Sequence, residues 1–256
     1  MDKYNIKEQK SMKNNDIIYG IRPVIEAINS DKTIDKVMFQ RGASSENLKE
    51  LFSLVRQRNI PFQYVPIERL NRYTRGNHQG VVCFMSSVIY QSIYDILPVL
   101  YEDGKTPFLL FLDKITDVRN VGAIARSAEC AGVDAIIVPA KNSSQLNEDA
   151  VKTSAGALHK IPVCRHENSK EVLVYLKESG IELVACTEKT KQLFYENTYV
   201  NPVCVLMGNE YDGIAPEYIA LCDKQVKIPM AGSIESLNVS VATGIILFEV
   251  LKSRMM

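Results

Sequence analysis

The chain has 256 residues, 46% hydrophobic and 23% charged, ordinary globular usage that excludes a fibrous or wholly disordered protein. Lys plus Arg and Asp plus Glu number 30 each, so no bulk charge advertises a polyanionic partner. No run approaches the roughly 18 consecutive apolar residues of a bilayer span, and the opening MDKYNIKEQKSMKNN has no apolar signal core, so a cytoplasmic protein without a membrane partner is expected.

Residues 1–15 are polar and lysine-rich and read as a flexible tail. Ile17–Gly20 leads into a helix opened by Arg22-Pro23, with the proline suited to its first turn. Val37–Gln40 reads as a strand, Ser45–Asn59 as an amphipathic helix, Pro61–Val65 and Gly80–Ser86 as strands, and Ile93–Leu100 as a helix. Together these predict a small α/β domain over residues 16–95. A linker follows at 96–106, around the Gly- and Pro-containing stretch YEDGKTP.

Residues 107–256 alternate more regularly. Phe108–Leu112, Ala135–Val138, Ile181–Cys186, Val203–Met207 and Val226–Ile228 are continuous apolar runs, as expected of strands covered on both faces of a parallel sheet. Helices are predicted at Val121–Ala131, Asn147–Ala155, Ser169–Ser179, Pro216–Cys222 and from Leu237 to about Lys252. In the last, Leu237, Val241, Ile245 and Phe248 recur at helical spacing and are expected to form a buried stripe. The fold class is α/β, with a doubly wound second domain.

The six cysteines contain no C-x-x-C pair and lack histidines at ligand spacing, so no metal site is expected and they read as small buried hydrophobes. Histidines 78, 159 and 166 are scattered and read as ordinary residues. Charge is uneven locally. Arg56, Arg58, Arg69, Arg72 and Arg75 are opposed only by Glu68 up to His78, which suits either an RNA footprint or a solvated helix face.

In open α/β sheets ligands bind beyond the carboxyl ends of the strands, so the loops leaving each strand carry the chemistry. Three are polar and contain glycine: Asp113 to Arg126, Gly208-Asn209-Glu210-Tyr211-Asp212-Gly213, and Pro229 to Ser240. There is no G-x-G-x-x-G, no P-loop and no G-x-S-x-G elbow. A nicotinamide-dependent oxidoreductase therefore fits the strand–helix alternation but lacks its glycine loop.

These loops resemble the SpoU/TrmH family of RNA ribose 2′-O-methyltransferases, in the SPOUT superfamily. Asn120-x-Gly122-x-x-x-Arg126 matches the family's first motif, and Met207-Gly208-Asn209-Glu210-x-x-Gly213 its second. Ile228-Pro229-Met230, followed by Ser236-Leu237-Asn238-Val239-Ser240-Val241-Ala242, matches its third. All three occur in order, each after a predicted strand, and the match covers about residues 107–256. Residues 16–90, ending in His78-Gln79-Gly80, resemble the small L30e-like RNA-binding domain that precedes the catalytic domain in many members.

The resemblance implies a trefoil knot in the C-terminal part and S-adenosylmethionine as methyl donor, contacted by Gly208, Ile228 and Leu237. It implies a homodimer in which one subunit supplies Arg126-type groups to the other's pocket. The expected reaction is 2′-O-methylation of a guanosine ribose in 23S ribosomal RNA. Transfer RNA, another ribosomal nucleotide, and a catalytically silent RNA-binding protein are the alternatives. Arg126 is the implied catalytic group, either taking the 2′-hydroxyl proton with the RNA phosphate or holding hydroxyl and phosphate in line. The second suits a guanidinium better, because it stays protonated. Asn120 is expected at a helix start, where Asn is a favoured N-cap, and is compatible with a phosphate or ribose contact. Glu210 either positions Arg126 or Asn120 or is a solvated turn carboxylate. Ser236 and Asn238 either cap the last helix or hold the target nucleotide. Arg69, Arg72, Arg75 and Arg119 are the expected RNA contacts.

Overall fold

The computed structural model describes residues 17–30 and 32–256, so the expected tail at 1–15 lies outside the described residues. Contacts divide the chain after Ser87 into two compact units.

The first unit holds strands β1 (Ile17–Tyr19), β2 (Ile34–Gln40), β3 (Phe62–Val65) and β4 (Val81–Met85) in the sheet order β1-β4-β2-β3. β4 runs antiparallel to β1 and β2, and β3 runs parallel to β2. Helices α1 (Ile21–Asn29), α2 (Glu46–Gln57) and α3 (Ile67–Asn71) complete it. Because side chains alternate along a strand, one face of the sheet buries Val37, Phe39, Val81 and Cys83 against Val24, Ile28, Leu51 and Val55. The other face buries Met38, Val82 and Phe84 with Leu70. Ser45 caps α2, its hydroxyl accepting the Leu48 N–H at 3.2 Å. His78 is a buried structural histidine. Its Nδ1 accepts the Gly80 N–H at 3.0 Å, so Nε2 carries the proton and donates to Asn71 Oδ1 at 2.9 Å.

The second unit contains β5 (Tyr90–Gln91), α4 (Ile93–Glu102), β6 (Phe108–Asp113), α5 (Val118–Cys130), β7 (Ala135–Pro139), α6 (Glu148–Thr153) and β8 (Val163–His166). These are followed by α7 (Ser169–Glu178), β9 (Glu182–Cys186), β10 (Val203–Gly208), α8 (Pro216–Ile219), β11 (Lys224–Val226) and α9 (Val239–Met255). The seven strands form one parallel sheet in the order β11-β9-β10-β6-β7-β8-β5. Both faces are covered: Leu110, Leu112, Val205 and Met207 pack with α5 and α9 residues, and Leu109, Phe111, Cys204 and Leu206 with α4 and α7 residues. That two-sided burial is why these strands read as unbroken apolar runs.

Several expectations differ from what is found, among them the strand expected at Val226–Ile228, which is β11 at Lys224–Val226 and leaves Ile228 beyond the strand. The segment expected as linker, 96–106, carries most of α4, whose Ile93, Leu97 and Leu100 are buried in the second unit's core. Gly104 and Pro107 mark only the turn into β6, a signal identical to that of a domain boundary. β8 has no counterpart in the sequence reading, because its four residues, VCRH, are too short and too polar at one end to form an apolar run. The expected buried stripe on α9 faces outward: Val241 is 51% exposed and Phe248 49% exposed, whereas Val239, Thr243, Ile246, Leu247 and Val250 are buried. α9 is apolar on nearly all sides, so periodicity alone does not choose its inner face.

Glycine in the first motif has a packing role. A β-carbon at Gly122 would lie 2.7 Å from Thr153 Cβ and 2.8 Å from the Ala150 carbonyl oxygen, so the absent side chain lets α5 lie directly on α6. Gly122→Ala is expected to lower stability by about 1–3 kcal/mol, the usual cost of overpacking a tight core, read as a fall in the urea midpoint. An unchanged midpoint would show that the two helices separate freely.

Candidate active site

Adjacency in the sheet explains how distant loops meet. β6 and β10 are separated by some ninety residues of chain yet are hydrogen-bonded neighbours, with Gly208 opposite Asp113 at their carboxyl ends. After β6 the chain builds β7 and β8 on one side. It then returns to build β9, β10 and β11 on the other, so the strand order switches between β6 and β10, the place where ligands of such sheets bind.

The loop after β6 enters α5 through Asp117, whose carboxylate accepts the N–H groups of Arg119 at 2.8 Å and Asn120 at 2.9 Å. The cap is therefore Asp117, three residues before the residue expected to cap. The consequence is functional: with the helix end satisfied, the Asn120 side chain points elsewhere. Its Nδ2 donates to Glu210 Oε1 at 3.0 Å, from the loop after β10.

Asn238 closes the arrangement. It is the N-cap of α9, and its Oδ1 accepts the Ser240 N–H at 2.9 Å. That capping bond fixes the amide orientation, leaving Nδ2 to donate to Asn120 Oδ1 and to Glu210 Oε1, each at 3.1 Å. Three residues from three loops thus form a closed triangle of hydrogen bonds, with one carboxylate oxygen accepting from two amides.

The loop bearing Glu210 is itself tightly built. A β-carbon on Gly208 would lie 2.1 Å from the Gly213 carbonyl carbon and 2.3 Å from the Ile214 nitrogen, so the chain doubles back directly over residue 208. Asn209 staples the turn. Its side-chain oxygen accepts the Tyr211 and Asp212 N–H groups, both at 2.8 Å, and its carbonyl accepts from Gly213 at 3.1 Å. Gly213 has φ +68°, a left-handed conformation that glycine adopts without strain. Beneath the loop, Asp113 Oδ2 accepts the Ala215 N–H at 2.8 Å, while burial raises this carboxyl above the usual carboxylate range. Its Oδ1 is buried with no partner among the described residues. Asp113, Asp117 and Asn209 are supports that sequence reasoning left without roles. Asp117, at the start of a polar-to-apolar switch, carried the usual N-cap signal.

The remaining expected residues fall as follows. Ile228 is half-buried against the main core, and Leu237 is 37% exposed beside the Asn238 cap. Ser236 is exposed and two residues from Asn238. Between them, residues 229–237 are exposed, have no regular structure, and make no main-chain hydrogen bond to another described residue. Arg119 and Arg126 are exposed on α5. Arg126 is six residues beyond Asn120, about 9 Å along the helix axis and about 240° around it, and is not part of the triangle. In the first unit Arg69, Arg72 and Arg75 are exposed on α3 and the loop that follows. Burial holds the Lys36 ammonium below its ordinary value, with Asp35 opposing and Arg69 adding to the effect, so two cations share this face.

Thiol chemistry does not belong to the site. Burial pushes Cys83, Cys164, Cys186 and Cys222 up to about 12, which leaves them protonated at neutral pH. His166 is held below its ordinary value by burial, and its Nε2 accepts the Ile93 N–H at 3.2 Å, a structural use. No helix among the described residues is long and apolar enough to cross a membrane.

Comparison with known proteins identifies the family. Residues 107–248 match the SpoU rRNA Methylase family, and residues 17–91 match the family described as RNA 2′-O ribose methyltransferase substrate binding. The chain is 36% identical over 241 residues to the 23S rRNA (guanosine-2′-O-)-methyltransferase RlmB of Yersinia pestis, covering 93% of this chain and 98% of that one. The enzyme of the same name from Escherichia coli K12 is 34% identical, with 93% and 99% covered. Among solved structures, the SpoU methyltransferase AviRb from Streptomyces viridochromogenes in complex with AdoMet superposes with a TM-score of 0.59. It is 26% identical and covers 93% of this chain and 90% of that chain.

Proposed function

Because the chain belongs to the SpoU rRNA methylase family, we propose that it transfers a methyl group from S-adenosylmethionine to the 2′-oxygen of a guanosine ribose in 23S ribosomal RNA. The observation that carries the reading is the triangle of Asn120, Glu210 and Asn238, which ties three sequence-distant loops together at the carboxyl end of a parallel sheet. A substrate of this kind also puts the protein in the cytoplasm.

The residues present suit the donor. An adenosyl group needs apolar walls and main-chain partners. Ile228 and Leu237 supply the first, and the unpaired, exposed main chain of residues 229–237 supplies the second. When bound, S-adenosylmethionine supplies an electrophilic methyl on a sulfonium. The protein's own work is to hold the two reactants in register. Gly208 lets the loop that bears Glu210 fold back directly over it, and Asn238 links the donor-binding stretch to the start of α9. Glu210 anchors both amides and so fixes the distance between the first and third motifs. The 2′-hydroxyl is a weak nucleophile, so orientation and charge stabilisation must do most of the work. Arg126 holds the neighbouring RNA phosphate and the hydroxyl in line. As the O–C bond forms and the methyl–sulfur bond breaks, the hydroxyl proton passes to that phosphate or to solvent, and the guanidinium favours the electron-rich oxygen that proton loss leaves. The trefoil knot around the donor pocket is part of the same proposal.

The test is calorimetric titration with S-adenosylmethionine and with NADH, followed by transfer of labelled methyl to 23S rRNA and to bulk tRNA. Donor binding with label in 23S rRNA is expected. Binding of NADH alone would overturn the methyltransferase reading, and label confined to tRNA would overturn the substrate.

A homodimer completes the proposal. Val241, Ile245 and Phe248 lie at i, i+4 and i+7 on the outward side of α9, an apolar face that a second copy of the chain would cover. Val241→Glu with Phe248→Glu is expected to give a monomer by light scattering, with the fold retained and methyl transfer reduced more than about tenfold. A double variant that stays dimeric would remove α9 as the interface.

A further inference from the structure

The first unit has a cleft of about 500 Å³, remote in sequence from the methyl-transfer motifs. Tyr19, Gly20, Arg22, Asn47, Asn77 and Gln79 line it, and no acidic residue does. We propose that this cleft seats one unpaired nucleotide of the RNA substrate, its base against Tyr19, its edge facing the three side-chain amides, and its phosphate at Arg22. The inference rests on the RNA-methyltransferase reading and deepens it by assigning where the first unit grips the RNA.

Each wall has the chemistry this occupant needs. Tyr19 ends β1 and is 40% exposed, and its position is braced from behind: a β-carbon at Gly76 would lie 2.6 Å from its ring. Only a glycine there lets the ring settle, which gives a fixed aromatic surface for a base. Gln79 is held with φ +49°, an uncommon conformation for a residue with a side chain. Its Oε1 accepts the Ile21 N–H at 3.0 Å, so its amide hydrogens remain for a ligand. Asn77 Oδ1 accepts the Gln79 N–H at 3.3 Å, which again leaves an NH₂ as the free end. Asn47 adds a third group with both donor and acceptor, the combination that reads base edges. Arg22 is exposed in the first turn of α1 and makes no ion pair among the described residues. Arg75, two residues before Asn77, extends the positive charge along the same segment.

Alternative ligands match less well. A lipid or apolar peptide would find Ile21 and Pro23 but would leave Arg22 and three side-chain amides without polar partners, and a metal ion would find no carboxylate. A paired base is equally unsuited, because its edge is turned into the helix and its faces are stacked. RNA recognition of this kind uses splayed loop nucleotides.

The test uses the full-length protein and two labelled probes: an RNA hairpin with an unpaired purine-rich loop, and a blunt RNA duplex of equal length. Fluorescence anisotropy should give at least about tenfold tighter binding to the hairpin. In the Arg22→Gln/Asn77→Asp double variant that preference should fall below about threefold, with S-adenosylmethionine affinity unchanged. Neither substitution adds bulk, and the introduced carboxylate would retain an acceptor for the Gln79 N–H. A 4-thiouridine in the loop should crosslink to the peptide containing Tyr19. Loss of preference with that crosslink supports the cleft. A retained preference in the double variant, or a crosslink only elsewhere, overturns it. Equal binding of hairpin and duplex by the unaltered protein also overturns the cleft but leaves the RNA reading standing. No binding of either probe, together with no methyl transfer to rRNA, defeats both.

Discussion

Arg126→Ala is expected to lower methyl transfer to rRNA by about 10²–10⁴-fold, while the affinity for S-adenosylmethionine changes less than about threefold. The separation follows from placement. Arg126 lies outside the Asn120–Glu210–Asn238 triangle, exposed and about 240° around α5 from Asn120, so its loss disturbs no bond that shapes the donor pocket. Its proposed task is to hold a phosphate beside the attacking hydroxyl, an interaction made only with RNA bound. Arg126→Lys should recover part of the rate, since the charge remains but the planar fork does not. Single-turnover transfer of labelled methyl and donor calorimetry measure the two quantities. Unchanged turnover in the Ala variant would leave Arg126 a surface residue of α5. The proposed dimer adds a sharper readout. If Arg126 serves the neighbouring subunit's pocket, mixing Arg126→Ala with Asn238→Ala subunits creates heterodimers with one intact site. Random pairing should then restore about a quarter of the unaltered activity from two inactive proteins. No restoration would place Arg126 with its own chain's pocket.

Gly208→Ala should damage the site through its main chain. A β-carbon at this position would meet Gly213 and Ile214 backbone atoms at 2.1–2.4 Å, and backbone cannot rotate out of the way as a side chain can. The loop must therefore lift, carrying Glu210 away from both amides and opening the floor of the donor pocket. The expected cost is about 3 kcal/mol, at the upper end for an inserted methyl group. At roughly 2–4 °C per kcal/mol for a chain of this size, that is a drop of about 6–12 °C in Tm. Donor binding should weaken more than about tenfold. Gly232→Ala is the control for stability: nothing in the protein lies within 4 Å of a β-carbon there, and Tm should not move appreciably. Equal behaviour of the two variants would show that the turn over residue 208 is not held in its tight form.

Much of the scaffold was readable because its physical cause is local. FLLFL, AIIV and VCVLM are runs of β-branched and bulky apolar residues of strand length, and strands covered on both faces leave that trace. The amphipathic helix expected over Ser45–Asn59 is found as α2, with Ser45, a short polar acceptor ahead of the run, as its N-cap. α9 failed for the complementary reason. With apolar residues at Val239, Val241, Ile245, Ile246, Leu247 and Phe248, two helical faces satisfy the same period, and the choice belongs to whatever packs against them. Asn120 was misread as a cap because Asp117 and Asn120 are both acceptable there, and only the N–H directions separate them.

By itself the sequence determined the residue chemistry: three polar, glycine-containing loops after apolar strands, bearing the motifs of an RNA ribose methyltransferase and lacking any nucleotide or thiol signature. Only the tertiary structure decided that Asn120, Glu210 and Asn238 share hydrogen bonds, and that Gly122 and Gly208 are small for the chain's own sake. It also decided that Val241 and Phe248 lie on the exposed side of α9. The reason is that strand pairing sets which loops are neighbours. β6 and β10 lie side by side through hydrogen bonds between backbone groups that every residue carries, so no side-chain pattern along the chain encodes that adjacency.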